Sequence, residues 1–143
     1  MPSAYSLIAL DLEHFKQVND SFGHDAGDRV LQHLARVLRE SVREQDQTFR
    51  LGGEEFLVLL PEADQATALL VAERIRLSVR QLDLSGNAPG GRMSVSLGVS
   101  SKPALVQADF SQLMELADRA LYCAKGEGRD RVRVADGLSL SSR

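Results

Sequence analysis

Hydrophobic residues recur along this chain with two different spacings, and these spacings predict its secondary structure. The apolar run from Leu7 to Leu12 is interrupted only by Asp11, which indicates a buried strand. Over residues 27–44 the apolar positions return every three or four residues, which predicts the longest amphipathic helix. Residues 93–100 alternate between apolar and small polar side chains, as is typical of a half-buried strand.

A pair of glycines, Gly52 and Gly53, separates two strand-like runs and predicts a β-hairpin that closes near Pro61. The second strand of this hairpin begins with Glu54 and Glu55 and is otherwise apolar. Because side chains alternate along a strand, the two glutamates are predicted to lie on its opposite faces. A carboxylate in such surroundings is costly unless a cation or hydrogen-bond donors meet it.

The order of elements predicts an α+β fold. The remaining elements are a short helix over 15–22, a helix capped by Asp64, a loop over 85–91, a last helix capped by Asp109 or Ser111 and ending at Gly126 or Gly128, and a strand over 131–135. The order contains β-α-β-β-α-β, which favours a ferredoxin-like or palm-type central sheet flanked by helices on one face, with the first strand and the hairpin at its centre. We expect one domain over 1–136 and a disordered tail over 137–143.

Composition narrows the class of protein. The chain has 143 residues, 43% of them hydrophobic, and a formal net charge of −3, which argues against DNA or RNA as a partner. A single cysteine, Cys123, excludes an internal disulfide. No apolar run approaches the roughly 18 residues that span a bilayer, and the first residues do not resemble a signal peptide. We therefore expect a cytoplasmic domain without membrane contact.

Acidic residues are the first candidates for chemistry. If the first strand pairs with the hairpin, Asp11 lies beside Glu54 and Glu55, and these carboxylates repel one another unless a metal neutralises them. Hard oxygen ligands suit Mg²⁺ or Mn²⁺ better than zinc. Taken singly, each acid is equally typical of a cap or an exposed turn, whereas Asp11 and Glu55 together favour a metal.

Cations and amides provide further candidates. Lys16 begins the short helix, where free backbone N–H groups favour anions. Lys125 and Arg129 lie at the glycine-rich end of the last helix, where a solvated role beside the helix dipole is also adequate. Asn19 and Asp28 frame a turn between two helices and could match a guanine edge, although turns use both residues routinely.

Three separated blocks of this sequence resemble the GGDEF domain of diguanylate cyclases. They are residues 11–28, the Gly-Gly-Glu-Glu-Phe motif at 52–56, and residues 124–129, and the resemblance extends from 6 to 134. It implies that two GTP molecules, one on each of two facing copies of the domain, condense to cyclic di-GMP with loss of two pyrophosphates. The active species would be a transient or ligand-bridged homodimer in a bacterial signalling pathway.

The resemblance also implies roles for the candidate residues. Asp11, Glu55 and the Leu12 carbonyl would hold Mg²⁺ or Mn²⁺, and Glu54 would assist at the metal or deprotonate the attacking hydroxyl. The residues implied in GTP binding are Asn19 and Asp28 at guanine, Gly52 and Gly53 where the backbone approaches the nucleotide, Lys16, Lys125 and Arg129 at the phosphates, and Phe15. Lys16 is also implied in catalysis.

A second site is implied at residues 43–46, Arg-Glu-Gln-Asp, which by composition are only a charged helix end. They match the RxxD motif of the family, so that Arg43 and Asp46, with Arg74, would bind cyclic di-GMP and cause product inhibition.

The sequence departs from the family pattern at Glu54, where an aspartate is usual, and at Asp130, where an asparagine is usual. Family members carry a helix and an Asp-x-Leu-Thr segment before the first strand, so the resemblance implies an N-terminally truncated domain. Two alternatives to a cyclase remain open: a weakly active or inactive cyclic di-GMP receptor, and a palm-type cyclase that makes a monocyclic nucleotide.

Overall fold

A computed structural model describes residues 4–103 and 107–135, so that the tail predicted to be disordered lies outside the described residues. The elements in chain order are β1 (Tyr5–Leu12), α1 (Phe15–Phe22), α2 (His24–Ser41), β2 (Gln47–Gly52), β3 (Glu55–Pro61), α3 (Gln65–Arg80), a 3₁₀ turn (Pro89–Gly91), β4 (Val95–Lys102), α4 (Phe110–Gly126) and β5 (Val132–Val134). No helix within the described ranges is long and apolar enough to cross a bilayer.

The strands form one mixed sheet in the order β2-β3-β1-β4-β5. All neighbouring strands are antiparallel except β4 and β5, which are parallel. The first four strands have the order expected of a β-α-β-β-α-β fold, which confirms the predicted α+β class. β1 is the central strand, β3 is its neighbour, and β2 lies at the edge rather than the centre.

Helices cover both faces of the sheet, and the expectation that they lie on one face is wrong. Ile8 and Leu10 of β1 belong to the larger core, which α2 and α3 cover. Leu7 and Ala9, which alternate with them, pack instead with Leu113 and other residues of α4. Because successive side chains of a strand point to opposite faces, α4 covers the second face alone.

The close packing of α4 depends on one glycine. A Cβ added to Gly98 of β4 would overlap the Ala117 carbonyl oxygen and the Leu121 backbone nitrogen of α4. The backbone of α4 therefore rests directly on β4. This contact sets the distance between the middle of α4 and the sheet, at the position of Gly98 beside Ala9 of β1.

One predicted boundary needs correction, and two predicted helix caps are confirmed. The long helix runs from His24 to Ser41 rather than over 27–44, so residues 43–46 form the turn that follows α2 and not its end. The last helix begins after Asp109, whose side chain accepts from the Gln112 backbone N–H in a capping box. Asp64 caps α3 as predicted and accepts from the Thr67 N–H at 2.9 Å.

Candidate active site

The two acids predicted to share a metal lie directly opposite each other in the sheet. Asp11 of β1 is the register partner of Glu55 of β3 and of Ser96 of β4. Opposed residues in antiparallel strands project from the same face about 5 Å apart, here the face that α4 covers. Asp11 is 6% exposed, whereas Glu55 is exposed at the strand end. The two side chains thus lie next to each other on one face of the sheet, where the hydrophobic core borders on solvent.

The hairpin turn consists of Gly53 and Glu54, because Gly52 still pairs with Glu55. Gly53 has a φ of 49°, which glycine adopts at little cost. Arg50 Nε donates to the Gly53 carbonyl oxygen at 2.9 Å and braces the turn. The structure therefore corrects the prediction that Glu54 lies in the strand.

Space is open above this turn. A Cβ added to Gly52 or Gly53 would meet no atom within 4 Å in the described structure. The turn is tied to the sheet below, since the Leu12 N–H donates to the Glu54 carbonyl oxygen at 3.2 Å. A ligand could approach the turn backbone from outside without displacing protein atoms.

Lys125 from the last turn of α4 donates to Asp11 Oδ2. Burial lowers the pKa of Lys125, but the hydrogen bond and charge of Asp11 raise it by more, with help from the charges of Glu13 and Glu54. The pKa of Lys125 consequently lies above its ordinary value. An ammonium, three carboxylates and the hairpin turn are thus gathered at one end of the sheet.

A second ion pair lies beside the first. Arg129 Nε donates to Glu13 Oε1 at 2.9 Å, and Glu13 is only 4% exposed. Sequence reasoning missed Glu13. The signal was present, because Glu13 follows Asp11 by two residues, and this spacing places both acids on one side of an extended chain. Lys125 at the end of α4 and Arg129 in the loop after it therefore supply one cation to each of two acids at the end of β1.

Both acids keep one oxygen without a partner. Asp11 Oδ1 and Glu13 Oε2 are buried and have no hydrogen bond within the described residues, a state that suggests an ion or water as the missing partner. In the same residues no three His, Cys, Asp or Glu side chains cluster as a metal site. The buried Oδ1 of Asp11 and the carboxylate of Glu55 are nevertheless hard oxygen donors that fit Mg²⁺ or Mn²⁺.

The loop after α4 has an unusual backbone. Arg129 and Asp130 have φ values of 63° and 49°, in the left-handed region that side chains disfavour. Asp130 is held by an ion pair to Arg76 at 3.3 Å and by one to Arg80, both on α3. Its backbone N–H donates to Ser96 Oγ at 3.2 Å. These contacts explain how an aspartate is accommodated where the family has asparagine.

The candidate guanine residues lie inside helices rather than framing a turn. Asn19 belongs to α1 and Asp28 to α2, with Gly23 between the helices. The side-chain oxygen of Asn19 sits against Gly27, where a Cβ would overlap it. Exposed Asp28 lines a cavity of about 430 Å³ that extends between α2 and the hairpin strands. Phe15 is 8% exposed and part of the larger core.

Lys16 is not brought to the acids. Its Nζ pairs with Asp20 at 3.1 Å on the surface of α1, and its side chain is 88% exposed. The structure gives Lys16 no contact with Asp11 or Glu55.

The RxxD residues form a closed cluster in the turn after α2. Arg43 Nη2 donates to Asp46 Oδ1 and to the Pro61 carbonyl oxygen, each at 2.7 Å. The hydrogen bond with Asp46 raises the pKa of Arg43 above its ordinary value. Arg74 Nη2 donates to the Ser41 carbonyl oxygen at 2.8 Å.

This RxxD cluster is distant from the acids. Pro61 ends β3 and Glu55 begins it, so at about 3.3 Å per residue the two sites lie about 20 Å apart.

Comparisons with known proteins identify the family of this chain. Residues 2–131 match the family described as "Diguanylate cyclase, GGDEF domain". The chain is 45% identical over 131 residues to diguanylate cyclase DgcM of Escherichia coli, covering 92% of this chain and 31% of the relative. It therefore spans about a third of the length of that relative.

Two solved structures are similar in fold. The GGEEF domain of a diguanylate cyclase from Vibrio cholerae superposes with a TM-score of 0.85 at 33% identity, over 96% of this chain and 85% of that one. The GGDEF domain of DgcB from Caulobacter crescentus, in complex with c-di-GMP, gives 0.84 at 33% identity, over 92% and 78%. With the family match across most of its length, the chain belongs to the GGDEF family of diguanylate cyclase domains.

Proposed function

We propose that this chain condenses two molecules of GTP into cyclic di-GMP with release of two pyrophosphates. The observation that carries the proposal is the placement of Asp11 opposite Glu55, with Lys125 on Asp11 and the open glycine turn beside them. Acids, a cation and accessible backbone at one sheet end are what a nucleoside triphosphate with its divalent ion requires. Family membership supports the same conclusion.

The acids would hold the divalent ion. Asp11, through its unpartnered Oδ1, the Leu12 carbonyl and Glu55 are the candidate ligands. When bound, Mg²⁺ or Mn²⁺ would supply charge stabilisation at the phosphates and the departing pyrophosphate. The chain itself binds the distal phosphates through Lys125 and Arg129, which are already held at the ends of the two ion pairs.

The reaction needs two copies of the domain. The 3′-hydroxyl oxygen of each GTP attacks the α-phosphorus of the other, the bond to the bridging oxygen breaks, and pyrophosphate leaves.

Glu54, in the hairpin turn next to Glu55, is the candidate acceptor of the hydroxyl proton. Gly52 and Gly53 let the nucleotide approach the backbone, Asn19 and Asp28 bind guanine, and Phe15 is a further candidate for GTP binding. Lys16, which is exposed on α1 and paired with Asp20, is a further candidate for the phosphates.

A second binding site would regulate the first. Arg43, Asp46 and Arg74 are proposed to bind cyclic di-GMP, the ligand present in the DgcB complex. The Asp46 side chain is fully buried and holds Arg43, whose side chain is 35% exposed. Fixing a guanidinium while leaving part of it accessible prepares it to stack on a guanine base. A domain that uses these metabolites would work in the cytoplasm.

Incubation with GTP and MgCl₂, followed by chromatographic separation of the products, tests the proposal. We expect cyclic di-GMP and pyrophosphate, at a rate that rises faster than linearly with protein concentration because two copies share one reaction. Asp11→Asn should reduce the rate to background, whereas Glu115→Gln, on the exposed surface of α4, should not change it.

Other outcomes identify the alternatives. Tight binding of cyclic di-GMP without turnover of GTP would favour a receptor, which the intact RxxD cluster also permits. A monocyclic guanine nucleotide as product would favour a palm-type cyclase that acts on one GTP. Unchanged GTP and no binding of cyclic di-GMP would contradict both the cyclase and the receptor.

A further inference from the structure

Glu13 is a buried acid that no step of the proposed reaction uses. It follows β1 by one residue, it is 4% exposed, and its Oε2 has no partner within the described part of the chain. Burying a carboxylate is costly unless it is paired. Over residues 4–103 and 107–135, its one ion pair is with Arg129. Arg129 is therefore the side chain on which Glu13 acts most directly.

The backbone of Arg129 is already fixed without Glu13. The Arg129 N–H donates to the Ala124 carbonyl oxygen at 2.9 Å and so extends the end of α4. The left-handed φ of 63° is held there although it costs free energy for a residue with a side chain. Asp130, the next residue, is anchored to β4 and α3. The backbone of Arg129 is therefore fixed, and only its side chain can change conformation.

The side chain of Arg129 is the part that Glu13 restrains. It is 49% exposed, and an arginine in such a position samples many rotamers. Glu13 Oε1 accepts from Nε and from no other nitrogen of the guanidinium. Among the described residues neither Nη nitrogen has a hydrogen-bond partner, so both are available there as donors. A guanidinium held at Nε can present its two Nη groups to one phosphate in the planar geometry that arginine offers.

We infer that Glu13 is a positioning residue that holds the guanidinium of Arg129 ready for the distal phosphates of GTP. The inference rests on the proposed function, in which Arg129 contacts those phosphates. Glu13 acts through Arg129 and does not itself touch the nucleotide. Loss of Glu13 should therefore weaken triphosphate binding only while Arg129 is present.

The experiment is a double-mutant cycle on nucleotide affinity. The probe is 3′-deoxy-GTP with MgCl₂, which lacks the attacking hydroxyl and cannot be condensed, and binding is measured by calorimetry. We expect Glu13→Gln to weaken binding about tenfold, the size typical of losing a hydrogen bond between charged groups. Arg129→Ala should weaken it at least as much, and the double variant should bind no more weakly than Arg129→Ala.

The affinity for GMP, measured by competition, separates positioning from a merely structural role. If Glu13 only stabilised the fold, Glu13→Gln would weaken GMP binding as well. GMP lacks the distal phosphates, so Glu13→Gln should leave its affinity unchanged. If Glu13→Gln does not fold, Glu13→Asp takes its place. Its carboxylate is one methylene shorter, so we expect about a threefold loss for 3′-deoxy-GTP, and this loss should disappear in the Arg129→Ala background.

Several results would overturn the inference. If Glu13→Gln binds 3′-deoxy-GTP as tightly as wild type while Arg129→Ala binds it more weakly, Glu13 has no positioning role. The phosphate contact of Arg129 would then still stand. Additive losses, or equal losses for GMP, would show that Glu13 acts other than through Arg129. Wild-type affinity in Arg129→Ala would instead refute the proposed role of Arg129, and the positioning role with it.

Discussion

Lys125 at the end of α4 donates to the buried carboxylate of Asp11 in β1, a residue 114 positions earlier in the chain. The Asp11 side chain is 8% exposed and that of Lys125 is 34% exposed. The pair joins the helix that covers one face of the sheet to the central strand. It also supplies the charge that makes a buried acid tolerable without a bound ion.

Replacing Lys125 by methionine should lower the free energy of unfolding by about 2 kcal/mol. This is less than the ~3–5 kcal/mol lost when a fully buried pair is broken, because the lysine is partly solvated. Urea unfolding at pH 7 measures the change. The double variant Asp11→Asn/Lys125→Met should recover most of it, since no charge is then left unpaired. A single variant as stable as wild type would show that Asp11 does not depend on Lys125.

The same lysine should compete with a divalent ion for Asp11. Without nucleotide, Lys125→Met removes a positive charge beside the candidate metal ligands, and we expect Mn²⁺ to bind about tenfold more tightly. Electron paramagnetic resonance of free Mn²⁺ measures this directly. Arg119→Met, on the exposed surface of α4, is the matched control and should leave Mn²⁺ affinity unchanged. Equal Mn²⁺ affinity in wild type and Lys125→Met would place the metal elsewhere.

Much of the fold could be predicted because the relevant signals are local. The bounds of α1 and the cap at Asp64 follow from short patterns of apolar residues and capping side chains. The opposition of Asp11 and Glu55 follows from strand order once the hairpin is placed beside β1. The first two of these predictions required no knowledge of how distant segments pack, and the third required only the order of the strands in the sheet.

The features that were missed depend on tertiary contacts. The continuous apolar run of β1 indicates that both faces of the sheet are covered. No local pattern, however, shows that α4 is the helix that covers the second face. Gly27 resembled a boundary of α2, yet it lies within the helix, at a position where a Cβ would overlap the side chain of Asn19. The spacing of Glu13 from Asp11 was a local signal, but its ion pair with Arg129, 116 residues away, could not be read from either segment alone.

Gly98→Ala should destabilise the domain by about 1–3 kcal/mol, the range for overpacking. The new methyl group would overlap backbone atoms of α4 at Ala117 and Leu121, which cannot move without shifting the helix. Thermal or urea unfolding measures the change. Gly126→Ala is the control, because a Cβ there meets no atom within 4 Å. Equal stability of the two variants would contradict the close packing of α4 on β4.

The cap of α3 should contribute stability that depends on acid pH. Hydrogen bonds from Thr67 hold the pKa of Asp64 below its ordinary value. A depressed folded-state pKa means that the contribution is complete above the unfolded pKa of about 3.9 and is lost as the pH falls through the folded value. The unfolding temperature of Asp64→Ala should therefore lie below wild type at pH 7 and approach it below pH ~3. Gln65→Ala is the control, because neither glutamine nor alanine titrates. The difference in unfolding temperature between Gln65→Ala and wild type should therefore stay constant with pH.

Product inhibition should weaken in Arg43→Ala. The variant loses the guanidinium proposed to stack on cyclic di-GMP, and Asp46 loses its partner in the closed turn. Initial rates of GTP turnover at increasing cyclic di-GMP give the inhibition constant, which we expect to rise at least about tenfold. Arg39→Ala, in the last turn of α2 but outside the cluster, should keep the wild-type constant. Because the turn lies about 20 Å along β3 from the acids, inhibition that persists unchanged in Arg43→Ala would mean that the product acts at the catalytic end instead.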